Sequence, residues 1–278
     1  MEWFQKKLDV LLKRTLFNIS LFYVSPMELK NKRIVITGAG SGIGKETVLQ
    51  MLKYDGVKIL ACDLNEKNIP VHPNVIPYQG DVSQKESLDQ LLTTADKKIG
   101  GIDIFYANAG FAYYEVIKNA DWDRIDRIYR TNVFSPLYTL VTLNLTRKEP
   151  FFFIVTASAM SHLALPGYAT YSSTKAAVRS FIDAYRFELK PGNRVMVVYP
   201  IATRTKFFDS AGKQVPVPFP SQSAETVAKK VVKGIRCNAK EVYPSFLFRF
   251  IQILDRFLFL ILPIYQKIEA GKLDSLKK

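Results

Sequence analysis

Tyr171 and Lys175 stand four residues apart in the run Tyr171-Ser172-Ser173-Thr174-Lys175, so on a helix both side chains leave from one face. An ordinary tyrosine, with a pKa of roughly 10, is a poor base near neutral pH. A neighbouring ammonium stabilises the phenolate and lowers that value. Such a pair can accept a proton from an alcohol or return one to a ketone oxygen. Ser158 lies thirteen residues before Tyr171, just past an apolar run that reads as a strand. There its hydroxyl can hydrogen-bond a substrate oxygen and stabilise the charge developing on it.

A second group of residues suits a dinucleotide. Ile34–Thr37 runs directly into Gly38-Ala39-Gly40-Ser41-Gly42-Ile43-Gly44 and then into the helical pattern Lys45–Tyr54. A glycine-rich turn between strand and helix lets backbone N–H groups and a helix N-terminus approach a pyrophosphate. The spacing of Gly38, Gly42 and Gly44 is a variant of the usual fingerprint, and its strand-to-helix context is what the motif requires. Asp63 ends the next apolar run, 19 residues beyond Gly44. A carboxylate there accepts hydrogen bonds from a ribose 2′-OH and repels a 2′-phosphate. Leu64 and Asn65 follow it, with no Arg to receive that phosphate, so the expected cofactor is NAD, with NADP disfavoured. Asp81, in Gly80-Asp81-Val82, either faces an adenine amino group or caps the helix beginning near Ser83.

The elements that must position these residues alternate along the chain. Apolar runs at Arg33–Ile36, Val57–Ala61, Asn74–Tyr78, Ile102–Tyr106, Phe151–Thr156 and Arg194–Tyr199 show little alternation, the mark of strands buried on both faces. Helical patterns such as Lys45–Tyr54 and Ser83–Ile99 lie between them. The expected fold is α/β, a doubly wound, Rossmann-like parallel sheet with right-handed crossovers. Domain boundaries follow: a catalytic dinucleotide-binding domain over 31–240, an amphipathic N-terminal extension over 1–30, and an apolar, basic helical tail over 241–278.

Taken in order, the glycine loop, Asp63, Asp81-Val82, Asn108-Ala109-Gly110, Asn132, Ser158 and Tyr171–Lys175 resemble a short-chain dehydrogenase/reductase of the compact, single-domain type, from about Lys32 to Thr205. The resemblance implies a nicotinamide-dependent oxidoreductase using a Ser158–Tyr171–Lys175–Asn132 tetrad. Lys175 would also hold the nicotinamide ribose, and the cationic ring would help to stabilise the Tyr171 phenolate. Asn132 would order the helix or water chain that relays protons to Lys175. Gly38, Ser41, Gly42, Ile43, Gly44, Asp63, Asp81, Val82, Asn108, Ala109, Gly110, Tyr171, Lys175, Pro200 and Thr205 become the cofactor-binding set, with Thr205 at the carboxamide. One departure is Pro200-Ile201, where the family usually has Pro-Gly; losing glycine restricts the backbone beside the nicotinamide. His162, four residues after Ser158, either touches substrate or lines the loop.

Composition excludes other classes. With 278 residues, 19 Phe, 14 Tyr and 48% hydrophobic residues, the chain can bury a large core and is not disordered. Two cysteines, Cys62 and Cys237, rule out a disulfide scaffold and suit a reducing compartment. Neither has metal-ligand spacing around it, and no metal is expected.

The net charge of +14 is concentrated at the ends: residues 1–33 hold 7 basic and 3 acidic side chains, and residues 225–278 hold 11 and 5. The N-terminal segment carries a helical apolar stripe of Phe4, Leu8, Leu11, Leu12, Leu16, Ile19 and Tyr23 with lysines mainly off it. It suits a membrane interface, the protein's own core or a second subunit. A signal peptide is not expected, because Leu16–Val24 is short, holds Asn18 and precedes no small-residue cleavage site.

The tail is apolar at Phe246, Leu247, Phe248, Phe250, Ile251, Ile253 and Leu254 and throughout Phe257–Ile264, yet its longest uncharged run, Phe257–Gln266, has ten residues. A membrane-spanning helix needs roughly 20. Apolar and basic ends together favour an anionic membrane surface over nucleic acid, although docking on a partner is open. The expected protein is therefore cytoplasmic with peripheral membrane contact, a homo-oligomer, and active on a hydroxyl or carbonyl of a lipophilic substrate. Phe207, Phe208 and Val215–Pro220 would supply apolar lining. The rival reading is a catalytically idle dinucleotide-binding sensor or a membrane-associated scaffold on the same fold.

Overall fold

The computed structural model describes residues 26–205, 207, 220–258 and 261–277. The N-terminal stripe at 3–23 and the apolar loop at 208–219 lie outside them.

Seven parallel strands form the central sheet. They are β1 (Arg33–Thr37), β2 (Lys58–Asp63), β3 (Val75–Gln79), β4 (Ile104–Ala107), β5 (Phe152–Thr156), β6 (Arg194–Val198) and β9 (Glu241–Val242). Their order is β3-β2-β1-β4-β5-β6-β9. A separate parallel pair, β7 (Thr203–Arg204) and β8 (Gln222–Ser223), lies beyond β6. The order reverses between β1 and β4, and a doubly wound sheet opens its crevice there, at the carboxyl ends of the strands.

Helices cover both faces: α1 (Gly42–Met51), α2 (Lys85–Ile99), α3 (Trp122–Tyr129), α4 (Ser135–Thr146), α5 (Ala169–Tyr185), α6 (Ala224–Arg236), α7 (Phe246–Leu258) and α8 (Ile261–Lys277). One core layer places Phe105, Phe153, Val155 and Val197 beneath α2, α4 and α5. The other places Ile34, Ile36, Ile59, Ile104 and Ile154 beneath α1 and α6. Neighbouring residues of β1, β4 and β5 are buried on opposite faces, which is why these strands read as unbroken apolar runs.

The two sheet edges differ from the middle. β3 alternates buried and solvent-facing residues and contains Pro77. Asn74 O accepts from Ile59 N in β2; by the period of two, Pro77 turns its donor-less backbone outward. At the far edge β9 has two residues.

Helix ends follow local chemistry. Asp121 accepts from Arg124 N and Ser223 from Thr226 N, each capping the helix it precedes. Gly100 closes α2 in the left-handed region at φ 81°, after Lys97 and Lys98 in its last turn.

The tail forms two helices. Asp255 Oδ1 accepts from the backbone N–H groups of Ile261 and Leu262, so α7 supplies the cap of α8. Gln252, Glu269 and Phe248 are buried, and Leu262 and Tyr265 pack against Tyr168, Tyr171 and Leu165. One face of the tail therefore covers the protein's own core. Among the described residues no helix is long and apolar enough to cross a membrane.

Candidate active site

The glycine loop lies where the sheet order reverses. Gly38 and Gly42 take φ values of 65° and 49°, the region that L side chains rarely adopt. A Cβ at Gly38 would sit 2.9 Å from Ala109 Cα, and one at Gly44 would sit 2.0 Å from Gly38 O. Gly38 thus lets the loop pass against the turn after β4, and Gly44 lets α1 pack onto that loop. Ser41, the N-cap of α1, makes no side-chain cap bond. Ser41, Gly42 and Ile43 line a cleft of about 310 Å3, into which the first turn of α1 directs its N–H groups. This cradle fits the pyrophosphate of a dinucleotide.

Asn108 braces the loop. Its Nδ2 donates to Thr37 O at 3.2 Å, its N–H donates to Thr37 Oγ1 at 3.1 Å, and its Oδ1 accepts from Thr156 Oγ1 at 3.1 Å. Thr156 in turn accepts a bond at its carbonyl from Lys175 Nζ, at 2.9 Å. A continuous set of contacts therefore joins the glycine loop, β4, β5 and α5.

The four residues expected to carry the chemistry lie together, three of them in the cleft wall and Asn132 behind. Ser158, Tyr171 and Lys175 line it, and Lys175 Nζ is 5.6 Å from the centre of the Tyr171 ring. Ser158 follows β5 and starts a short turn, Ala159–Ser161, in which its Oγ accepts from Met160 N at 3.1 Å. Asn132 sits behind the lysine, 1% exposed, on a π-helical turn over Arg130–Phe134 between α3 and α4. Its Nδ2 donates to Phe111 O and Thr174 Oγ1, and its Oδ1 accepts from Phe111 N. A Cβ added at Gly110 would lie 3.0 Å from Asn132 Oδ1 and 3.5 Å from Lys175 Nζ.

Burial acts on both titrating groups. It pushes the Tyr171 hydroxyl up to about 12, against the lowering effect of a hydrogen bond with Ser158. It brings the Lys175 ammonium down to about 8. Removal from water disfavours the charged form of each, the phenolate and the ammonium.

The remaining expected residues divide by place. Ala109, Gly110, Pro200 and Thr205 line the cleft. Asp63 lies at the end of β2, beside the glycine loop, its Oδ2 accepting from Gly40 N at 2.8 Å. Asp81 is exposed and accepts from Ser83 N in a local turn; it does not cap the following helix, which starts at Lys85 with Gln84 as its N-cap and no side-chain cap bond. Val82 is buried in the core beside it.

Ile201 lines the cleft, and the only described non-glycine residues with positive φ are Asn31 and Asn238. The turn after Pro200 therefore accommodates isoleucine without left-handed backbone. His162 faces away from the cleft: Nδ1 pairs with the Arg179 guanidinium and Nε2 lies 3.2 Å from the Tyr243 hydroxyl. Thr156 and Thr174 join this site without having been singled out in the sequence. Thr156 serves Lys175 through its carbonyl, which every residue type possesses, so its identity carried no signal.

A short chain dehydrogenase family profile matches residues 32–216. An uncharacterized oxidoreductase of Myxococcus xanthus is 26% identical over 221 residues, covering 74% of this chain and 86% of its own. The 3-ketodihydrosphingosine reductase of Bos taurus is 28% identical over 251 residues, covering 78% of this chain and 75% of its own. Among solved structures, a short chain dehydrogenase/reductase from Burkholderia phymatum in complex with NAD has a TM-score of 0.71 at 18% identity, covering 83% of this chain and 94% of its own. A short chain dehydrogenase from Burkholderia cenocepacia J2315 in complex with NADP has a TM-score of 0.70 at 23% identity, covering 83% and 95%. At those identities the structures bear on the fold alone.

Proposed function

The chain belongs to the short chain dehydrogenase family, whose members are NAD- or NADP-dependent oxidoreductases, and on that premise we propose that it interconverts a secondary alcohol and a ketone on a lipophilic substrate, with NAD preferred. The observation that carries this reading is the gathering of Ser158, Tyr171 and Lys175 in one cleft with Gly38, Ser41, Gly42 and Ile43 of the glycine loop. Bound nicotinamide supplies hydride exchange with the substrate carbon. In oxidation the Tyr171 phenolate takes the alcohol proton; in reduction its hydroxyl returns one to the ketone oxygen. Ser158 Oγ, while accepting from Met160 N, still has its O–H to donate to that oxygen. Lys175 holds the cofactor ribose, and its charge together with the cationic nicotinamide has to offset the burial that holds the Tyr171 hydroxyl up at about 12, while Asn132 fixes the turn behind it.

Asp63 supports the NAD preference, because it stands beside the loop with no arginine next to it. The apolar lining from Met160, Phe207 and Ile201 supports a lipophilic substrate. The same proposal includes peripheral contact with an anionic membrane, supported by the apolar face that α7 and α8 turn to solvent, and a homo-oligomer, supported by exposed Phe134, Leu145 and Phe187.

The test is turnover of a panel of secondary alcohols and ketones. Tyr171→Phe keeps the ring and removes the proton-transfer group, so kcat should fall by about 10²–10⁴-fold or more while NADH affinity is retained. Near-wild-type turnover in that variant would assign the acid/base to another residue.

A further inference from the structure

A second cavity, of about 140 Å3, adjoins the catalytic cleft. Ser158, Met160, Ile201 and Ala202 line both spaces, so the chamber begins at the serine expected to hold the reacting oxygen. Its outer wall comes from the tail: Leu247, Phe248 and Ile251 of α7, and Ile261, Leu262 and Tyr265 of α8. Leu163 and Leu165 face them. Among its described lining residues, Ser158 and Tyr265 bring the only side-chain polar atoms, and none is charged. The family profile ends at residue 216, before either helix, so this wall is an addition to the matched domain.

We propose that the chamber takes a single unbranched aliphatic chain carried by the reacting carbon, and that α7 and α8 thereby set chain-length specificity. The inference rests on the oxidoreductase reading and narrows its substrate class. Three observations carry it. The chamber opens beside Ser158, so a group entering it is attached at or next to the carbon whose oxygen that serine holds. Its described lining offers a carboxylate or phosphate no charged partner, which disfavours a charged end. The walls are flexible leucine, isoleucine and methionine side chains, which give an alkyl chain dispersion contacts along its length. Any polar head of the substrate stays in the cleft or outside.

Methyl ketones from butanone to tetradecanone test this, with NADH oxidation as one readout and calorimetric binding to the full-length, cofactor-loaded protein as the other. Each added methylene should lower KM and the dissociation constant about three- to four-fold until the chamber is full, after which both level off. Leu262→Trp narrows the chamber and should move the break to shorter chains; Leu262→Ala widens it and should move the break to longer ones. The two opposite shifts keep the test decisive if the larger side chain impairs folding. Constants that do not vary with chain length, or a break that stays in place in Leu262→Ala, overturn the proposal. If no ketone oxidises NADH, the oxidoreductase reading fails, and calorimetry then decides the chamber by itself: a chain-length slope that moves with Leu262 upholds it, and a flat series ends it.

Discussion

At the scale of single residues, Lys175 makes a claim on stability as well as on chemistry. Its ammonium is buried and brought down to about 8 from 10.5. The folded state therefore holds that proton less tightly than the unfolded chain does. The stability linked to this group is fully present above pH 10.5 and is lost as pH falls through 8. Between pH 7.5 and 9.5 the wild type should gain about 2 kcal/mol relative to Lys175→Met. Urea midpoints at the two values measure it, and Tyr171, present in both proteins, cancels. An unchanged gap would mean that Lys175 is not buried as an ammonium. Lys175→Met should also weaken cofactor binding and turnover together, unlike Tyr171→Phe. For Asp63 the expected outcome is NADH binding at least ten-fold tighter than NADPH, about 1.4 kcal/mol, by fluorescence titration. Equal affinities would remove the ribose-reading role. Residue types legible in the sequence were those whose side chains we propose to do the chemistry. Thr156 was not, since it acts on Lys175 through its backbone.

At the scale of elements, close approach governs the first strand, loop and helix. A methyl at Gly44 would meet Gly38 O at 2.0 Å, backbone against backbone, so α1 has to move. Gly44→Ala should destabilise the fold by about 1–3 kcal/mol and weaken NADH binding, read by urea unfolding and titration. A variant as stable and as tightly binding as wild type would show that the helix can shift freely. β1, β2, β4, β5 and β6 were legible because burial on both faces leaves continuous apolar runs, and the edge strand β3 from Val75, Ile76 and Tyr78 on its covered positions; each of the six lies within about two residues of its run. β9 was not, because Glu241 and Val242 offer too short a pattern for periodicity to register. The π-helical turn holding Asn132 was also hidden: nothing in Arg130–Phe134 distinguishes it from ordinary helix, and it becomes visible only in the backbone, where Ser135 N donates to Arg130 O five residues back.

At the scale of the molecule, the tail shows where periodicity stops being informative. Its apolar residues were legible, but not what covers them, because a core and a bilayer ask for the same side chains. The structure divides them: Phe248, Leu262 and Tyr265 turn inward, while Phe246 is 82% exposed, Phe257 76% and Ile268 59%. An outward apolar area with the exposed Lys267 on it suits an anionic bilayer, a cation near the surface adding about 1 kcal/mol. The full-length protein should sediment with vesicles containing anionic lipid, less so in salt. Replacing Phe246, Phe250 and Phe257 by serine should release it without touching the inner face. Retention of the triple variant on vesicles would place the contact elsewhere.

The edges of the sheet bear on what such attachment would do. Confinement to a surface raises local concentration and aligns neighbouring copies, conditions under which an open strand invites addition of another. Pro77 withholds a donor along β3, and β9 is too short to template a partner. Crowded side by side on a bilayer, these molecules would meet through side chains rather than by extending one another's sheets, and should stay dispersed where a longer, flatter edge would nucleate fibrils.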